Sequence, residues 1–361
     1  MTNKIRVMIV DDSAVIRGLT KRILESNSDI EVVASVGNGE YAVRAVEQNE
    51  VDVVVLDIEM PKMDGITALP LLIKANPKLR VIMSSTLTTR NAEISLKALR
   101  LGAADYIPKP TAAAELNSGD EFRKTLLEKV RALGGATGGP ASSASPASGG
   151  AAISLASGKI ATRPAGTFAP DILAIGSSTG GPQALFEVFK GLPTDWKLPI
   201  VITQHMPATF TKILASHLES VSNRPCVEAQ GGEVVRSGHV YVAPGDHHML
   251  LETEGANIVT RLTQSPPENF CRPAVDPMLR SVVKIYGPRV LALILTGMGK
   301  DGLSGCEAVV AAGGTVVAQD EETSIVWGMP GAVATEGICS AVLPLRDIAT
   351  YISNFKTRTA A

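Results

Sequence analysis

The feature that most constrains the fold is a break in composition. From Gly134 to Thr167, 26 of 34 residues are Gly, Ala, Ser or Pro, and only Lys159 and Arg163 carry charge. A segment so poor in apolar side chains cannot offset its ordering entropy by burial, so it is expected to be a flexible linker. Any core must then lie in two pieces, residues 4–133 and 168–361. The length of 361 residues, too long for one ordinary core, points the same way.

The first piece alternates apolar runs with amphipathic ones. Ile5–Val10, Val32–Val36, Val51–Asp57, Val81–Ser85 and Asp105–Pro108 read as strands. Val15–Leu24, Tyr41–Glu47, Ile66–Lys74, Glu93–Leu101 and about Ser118–Leu133 read as helices. Five strands alternating with helices predict a parallel sheet covered on both faces. In the second piece, strand-like runs fall at Asp171–Gly176, Leu198–Gln204, His239–Pro244, Ile258–Leu262, Val290–Thr296 and Thr315–Ala318. Helix-like stretches at Pro182–Lys190, Phe210–Leu218 and Gly302–Ala312 separate several of them, so a larger, mainly parallel, doubly wound α/β domain is expected.

Ligands of open parallel sheets bind where strands end and loops begin. In the first piece that edge would gather Asp11 and Asp12 after the first strand, Asp57 at the end of the third, Thr86 after the fourth and Lys109 after the fifth. Clustered carboxylates suit Mg²⁺, a hard ion that prefers oxygen. With the charge neutralised, one aspartate could attack a phosphoryl donor, Lys109 could pair with the phosphoryl oxygens and Thr86 could donate a hydrogen bond to them.

In the second piece the strand ending at Gly176 runs into Ser177-Ser178-Thr179-Gly180-Gly181-Pro182 and a helical pattern. A strand, a glycine-rich turn and a helix start can cradle a phosphate or raise a nucleophile beside free N–H groups. The spacing Gly176-x-Ser178-x-Gly180 selects Ser178 over Ser177. A serine nucleophile needs a base and a group to orient it. His205 sits just past a long apolar strand; His217 and His239 fall in regular elements, and His247 and His248 remain open alternatives. Asp301 follows a strand through Gly297-Met298-Gly299-Lys300, but Asp246 and Asp320 also lie past strand ends, so position alone leaves the carboxylate open.

Composition narrows the partners. Lys+Arg 34 against Asp+Glu 36, with no basic block, argues against nucleic acid, and no helix-turn-helix pattern is visible. The glycine turn has neither the P-loop Lys-Ser/Thr nor a full G-x-G-x-x-G, which weakens a nucleotide-binding reading. Cys226, Cys271, Cys306 and Cys339 are scattered and read as reduced thiols. No signal-peptide pattern or long apolar stretch is visible, so a cytoplasmic protein without membrane insertion is expected.

Over about Lys4 to Leu133 the sequence resembles the response-regulator receiver family, on Asp11-Asp12, Leu56-Asp57-Ile58-Glu59-Met60-Pro61, Met63-Asp64-Gly65, Thr86, Tyr106 and Lys109-Pro110. Asp57 lies 45 residues after Asp12, and Lys109 lies 52 after Asp57, spacings like the family's. The resemblance implies a (βα)5 flavodoxin-like receiver with Asp57 as phosphate acceptor and Asp11, Asp12 and Asp57 around Mg²⁺. It further implies a switch at Thr86, Tyr106 and Lys109, with Lys109–Pro110 a candidate cis bond.

From about Ala169 to Phe355 the chain resembles the chemotaxis protein-glutamate methylesterase family. The matching motifs are Ile175-Gly176-Ser177-Ser178-Thr179-Gly180-Gly181, Gln204-His205-Met206-Pro207, Val242-Ala243-Pro244-Gly245-Asp246-His247-His248 and Leu295-Thr296-Gly297-Met298-Gly299-Lys300-Asp301-Gly302. This implies Ser178 as nucleophile, His205 as base and acid, and Asp301 as orienting carboxylate. The backbone N–H of Met298 is a candidate oxyanion donor, and Thr179 is expected to hydrogen-bond within the site. The chain order Ser, His, Asp differs from the Ser, Asp/Glu, His of α/β-hydrolases, so membership of that fold does not follow. The implied reaction is hydrolysis of glutamate methyl esters on chemoreceptors, with deamidation of glutamine. The implied phosphodonor is a chemotaxis histidine kinase, and the unphosphorylated receiver is expected to block the catalytic face. A binding-only second domain or a dead scaffold are the rivals.

Overall fold

The computed structural model describes residues 4–86, 88–109, 120–135 and 160–355. In the first piece β1 (Ile5–Val10), β2 (Ile30–Val36), β3 (Val53–Asp57), β4 (Arg80–Ser85) and β5 (Asp105–Pro108) form one sheet in the order β2-β1-β3-β4-β5. Every pair in it is parallel. All of β3 and the last four residues of β1 are buried, as a sheet covered on both faces requires.

Helices α1 (Ala14–Glu25), α2 (Gly39–Gln48), α3 (Gly65–Ala75) and α4 (Thr89–Arg100) connect the strands. Ser13, Asn38, Asp64 and Thr88 cap them, each side chain accepting the N–H three residues on. The last helix, α5, spans Asp120–Gly135, reaching two residues into the glycine-rich segment.

The second piece holds β6 (Ile172–Ser177), β7 (Ile200–Gln204), β8 (Cys226–Glu228), β9 (Val240–Val242), β12 (Val290–Ile294), β13 (Thr315–Gln319) and β14 (Ala341–Leu343). They form a parallel sheet in the order β14-β13-β12-β6-β7-β9-β8. A separate antiparallel hairpin joins β10 (His248–Glu254) to β11 (Asn257–Thr263). From central β6 the chain winds outward one way through β7, then returns to β12 and winds the other way. The reversal between β6 and β12 opens a crevice at the carboxyl ends of the strands.

The helices of this domain are α6 (Gly181–Gly191), α7 (Ala208–Ser222), α8 (Val275–Tyr286), α9 (Leu303–Ala311), α10 (Met329–Thr335) and α11 (Leu345–Ser353). Ile160–Thr167 runs along its edge, where the Arg163 N–H reaches Cys339 O at 2.9 Å and the Gly166 N–H reaches Thr315 Oγ1 at 3.0 Å. No helix among the described residues is long and apolar enough to cross a membrane.

The two domains touch. Helix α4 packs against α6 and α7. The Tyr106 ring stacks on Phe210 with centroids 4.2 Å apart, and the Gln183 amide donates to Leu99 O at 3.0 Å. One continuous buried apolar cluster takes in Leu96, Leu99 and Tyr106 from the first domain and Phe186, Phe210 and Leu214 from the second.

Candidate active site and phosphoacceptor pocket

The acidic group converges as the strand ends dictate. Ligand oxygens of Asp11, Asp12 and Asp57 lie within 4.8 Å of one another, an all-oxygen donor set that fits a hard divalent cation. Lys109 Nζ lies 2.6 Å from Asp11 Oδ2 and 2.7 Å from Asp57 Oδ2. Burial pushes the Asp57 carboxyl up to about 6; Lys109 opposes this, while Asp11 and Asp12 add to it. Thr86 Oγ1 lines the same cleft but accepts from Asn91 Nδ2 at 2.7 Å. Tyr106 is turned inward, 6% exposed, against Phe210 of the other domain. Pro110, and with it the Lys109–Pro110 bond, lies outside the described residues.

In the second domain the residues past β6, β7 and β12 meet at the crevice. Ser178 follows β6, its N–H held by Thr296 O at 3.0 Å. Gln204 clamps the turn: its amide donates to Ser178 O at 2.9 Å and its carbonyl accepts from Ser177 Oγ at 2.7 Å. Gly180 has φ +77 and a Cβ there would lie 2.6 Å from Ile325, so only glycine fits. A Cβ on Gly297 would lie 2.8 Å from the Ser178 Cβ, which is how closely the β12 loop approaches the serine. The backbone N–H groups of Thr179 and Met298 carry no hydrogen bond among the described residues.

His205 Nε2 lies 2.8 Å from Asp301 Oδ2. Asp301 is 2% exposed and also accepts from the Val275 N–H at 2.6 Å and the Asp276 N–H at 3.2 Å. Burial by itself would raise the Asp301 carboxyl, but these donors and His205 outweigh it and hold it below the ordinary range. Burial likewise disfavours the His205 cation, but Asp301 and Cys271 together outweigh it and raise the imidazole.

The rival residues are engaged elsewhere. His248 bonds Pro266 O and the Ala274 N–H, Asp246 pairs with Arg272, and Asp320 accepts from the Thr323 N–H and hydroxyl. The His247 ring faces its own turn at Gly245 O.

No hydrogen bond joins Ser178 to His205 among the described residues; His205 Nδ1 faces Cys271 Sγ at 3.4 Å. One expectation needs correction. Thr179 does not hydrogen-bond within the site: its hydroxyl crosses the domain boundary to Asp105 Oδ2 at 2.8 Å, an oxygen also paired with Lys129. The reason for the Thr179 contact is the covering domain. A cavity of about 470 Å³ over the site is walled by Tyr106, Pro108, Thr125 and Lys129 on one side and His205, Met206, Cys271 and Arg272 on the other.

A phosphoacceptor-type carboxylate pocket joined to a serine, histidine and aspartate on a second parallel sheet defines a class of proteins, receiver-linked hydrolases. Residues 173–352 match the family model described as CheB methylesterase, and residues 7–118 the response regulator receiver domain. A protein-glutamate methylesterase/protein-glutamine glutaminase 1 of Rhodospirillum rubrum is 56% identical over 367 residues, covering 96% of this chain and 94% of that protein. Its namesake from Paramagnetospirillum magneticum is 57% identical over 371 residues, covering 99% and 97%. The crystal structure of the Thermotoga maritima CheB methylesterase catalytic domain is 45% identical with a TM-score of 0.50, covering 51% of this chain and 98% of that one. The chain belongs to the CheB methylesterase family, and carries that family's catalytic domain behind a receiver.

Proposed function

We propose that this protein hydrolyses glutamate methyl esters on chemoreceptors, and deamidates receptor glutamines, under control of phosphorylation at Asp57. The observation that carries the reading is the His205–Asp301 pair at 2.8 Å beside a serine turn whose Thr179 and Met298 N–H groups carry no hydrogen bond among the described residues. Ser178 Oγ attacks the ester carbonyl carbon while His205 takes its proton. Asp301 holds Nε2, so Nδ1 serves once it turns from Cys271 Sγ to Ser178. The N–H groups of Thr179 and Met298 face the developing oxyanion, each such donor contributing about 3 kcal/mol in other hydrolases. His205 returns the proton to the departing methoxide, and methanol leaves. Water then loses a proton to His205 and attacks the acyl-serine, and glutamate and free Ser178 result; with a glutamine substrate ammonia leaves instead.

In the receiver, Asp11, Asp12 and Asp57 would hold Mg²⁺, which supplies charge neutralisation for an incoming phosphoryl group. Asp57 takes that group from a chemotaxis histidine kinase, and Lys109 and Thr86 contact its oxygens. We assign residues 4–133 to the receiver, 134–167 to a linker and 168–361 to the esterase, acting in the cytoplasm. The cavity walled by both domains supports an inhibited resting state, since Tyr106 and Lys129 of the receiver stand opposite His205.

The test is methanol release from methylated receptor, with fluorophosphonate labelling of the serine. Ser178→Ala is expected to abolish both with the fold intact, and Asp301→Asn to keep a residue of activity. Turnover at the parent rate in Ser178→Ala would overturn the assignment.

A further inference from the structure

The loop between β11 and α8 was not singled out by any sequence motif, yet it touches both partners of the serine. Glu268 and Cys271 exchange hydrogen bonds, N to O at 3.1 and 2.9 Å, closing a two-residue turn. Its central residues, Asn269 and Phe270, have φ +51 and +64, the left-handed pair that defines a type I′ turn. Asparagine suits the first position; a bulky phenylalanine at the second is disfavoured there. Phe270 points outward, 89% exposed, with Lys124 Nζ of the receiver 4.3 Å from its ring centroid.

Asn269 faces the other way. Its Nδ2 donates to Asp301 Oδ1 at 2.9 Å and to Asp276 Oδ2 at 2.9 Å. One amide nitrogen therefore spends both its hydrogens bridging two carboxylates that are 2% and 5% exposed. Like charges so buried repel each other, and a donor shared between them offsets part of that cost; burial and Asp301 raise the Asp276 carboxyl, and Asn269 opposes them. With Asn269 in place, Asp301 Oδ1 is held by Asn269 and the Asp276 N–H while Oδ2 is held by His205 and the Val275 N–H.

We infer that Asn269 is a positioning residue of the esterase, its amide bridging Asp301 to Asp276 so that the carboxylate facing His205 stays ionised and fixed. The inference rests on the reading of Ser178, His205 and Asp301 as the reacting set. Asn269 touches no reacting atom; it acts through Asp301. The turn allows a clean deletion, because glycine accepts positive φ and Asn269→Gly removes the amide while keeping the backbone.

The test is the rate at which a small fluorophosphonate labels the full-length protein, together with kcat and KM for receptor demethylation. Asn269→Gly is expected to lose about 10- to 100-fold in labelling rate and kcat with KM nearly unchanged, the size seen when groups that orient a reactive centre are removed. Phe270→Tyr, in the same turn and keeping the ring beside Lys124 of the receiver, is expected to label at the parent rate. Asn269→Asp supplies a readout that a merely structural role would not move. It adds a third carboxylate, which becomes a donor only once the cluster takes up a proton. Its labelling rate relative to the parent should therefore rise as pH falls, whereas the ratio for Asn269→Gly stays flat. If Asn269→Gly labels within twofold of the parent while Ser178→Ala is silent, the positioning role is overturned and the triad stands. A flat ratio for Asn269→Asp overturns the role as well. Labelling that survives in Ser178→Ala overturns the reading beneath it.

Discussion

Asp57 shows how one residue's surroundings set its chemistry. Its carboxyl is pushed up to about 6 by burial, so between the ordinary carboxylate range and pH 6 the folded protein binds a proton that the unfolded chain releases. Stability tied to this group is therefore full at low pH and is lost as pH rises through about 6; the whole effect is at most about 3 kcal/mol. Removing the carboxyl removes the slope: the stability of Asp57→Asn relative to the parent should increase between pH 4 and 7 in urea unfolding without divalent cations. A difference independent of pH would mean that Asp57 titrates normally and that Lys109 fully compensates its burial. At this scale Asp11, Asp57, Lys109, Ser178 and His205 stood out as candidates because each ends or follows an apolar strand, whereas Asp301 was chosen over Asp246 and Asp320 only through the family resemblance. Asn269 and Asp105 were not: their partners lie 32 and 74 residues away, and nothing local marks the contacts.

Among elements, the informative contact is between β5 of the receiver and the turn from β6 into α6. Asp105 at the start of β5 takes the hydroxyl of Thr179, next to Ser178, so the receiver grips the turn after β6 as well as covering it. A hydrogen bond to a charged acceptor is worth about 1.5–3 kcal/mol, so Asp105→Ala should raise the open population of the unphosphorylated protein by about 10- to 150-fold. Demethylation by this variant should approach that of a fragment beginning near Phe168, which should ignore phosphodonors. If the fragment is no faster than the intact unphosphorylated protein, the receiver works by activation or recruitment instead of occlusion. The central strands of both sheets were readable as unbroken apolar runs. Edge strands β8 and β14, three residues each, are too short to carry a pattern. Helix α8 hid because Ala274 gives it no side-chain cap and Pro277 stands in its first turns.

For the whole molecule, composition marked two domains and a tether but said nothing of how the domains meet. That depends on surfaces drawn from many elements, Leu96 and Leu99 of α4 and Tyr106 after it, set against Phe186 of α6 and Phe210 and Leu214 of α7. The apolar cluster that runs unbroken through both has a calorimetric consequence. Melting either half exposes the face of the other, so the resting protein should unfold in a single endotherm whose van't Hoff enthalpy approaches the calorimetric one. Loading the receiver with a phosphoryl mimic and Mg²⁺ should separate this into two endotherms, the later one coinciding with that of the isolated catalytic fragment. Two resolved transitions before any loading would mean that the halves melt independently. The shape of the melting curve thus counts cooperative units, and reports whether the gate is shut without any substrate being present.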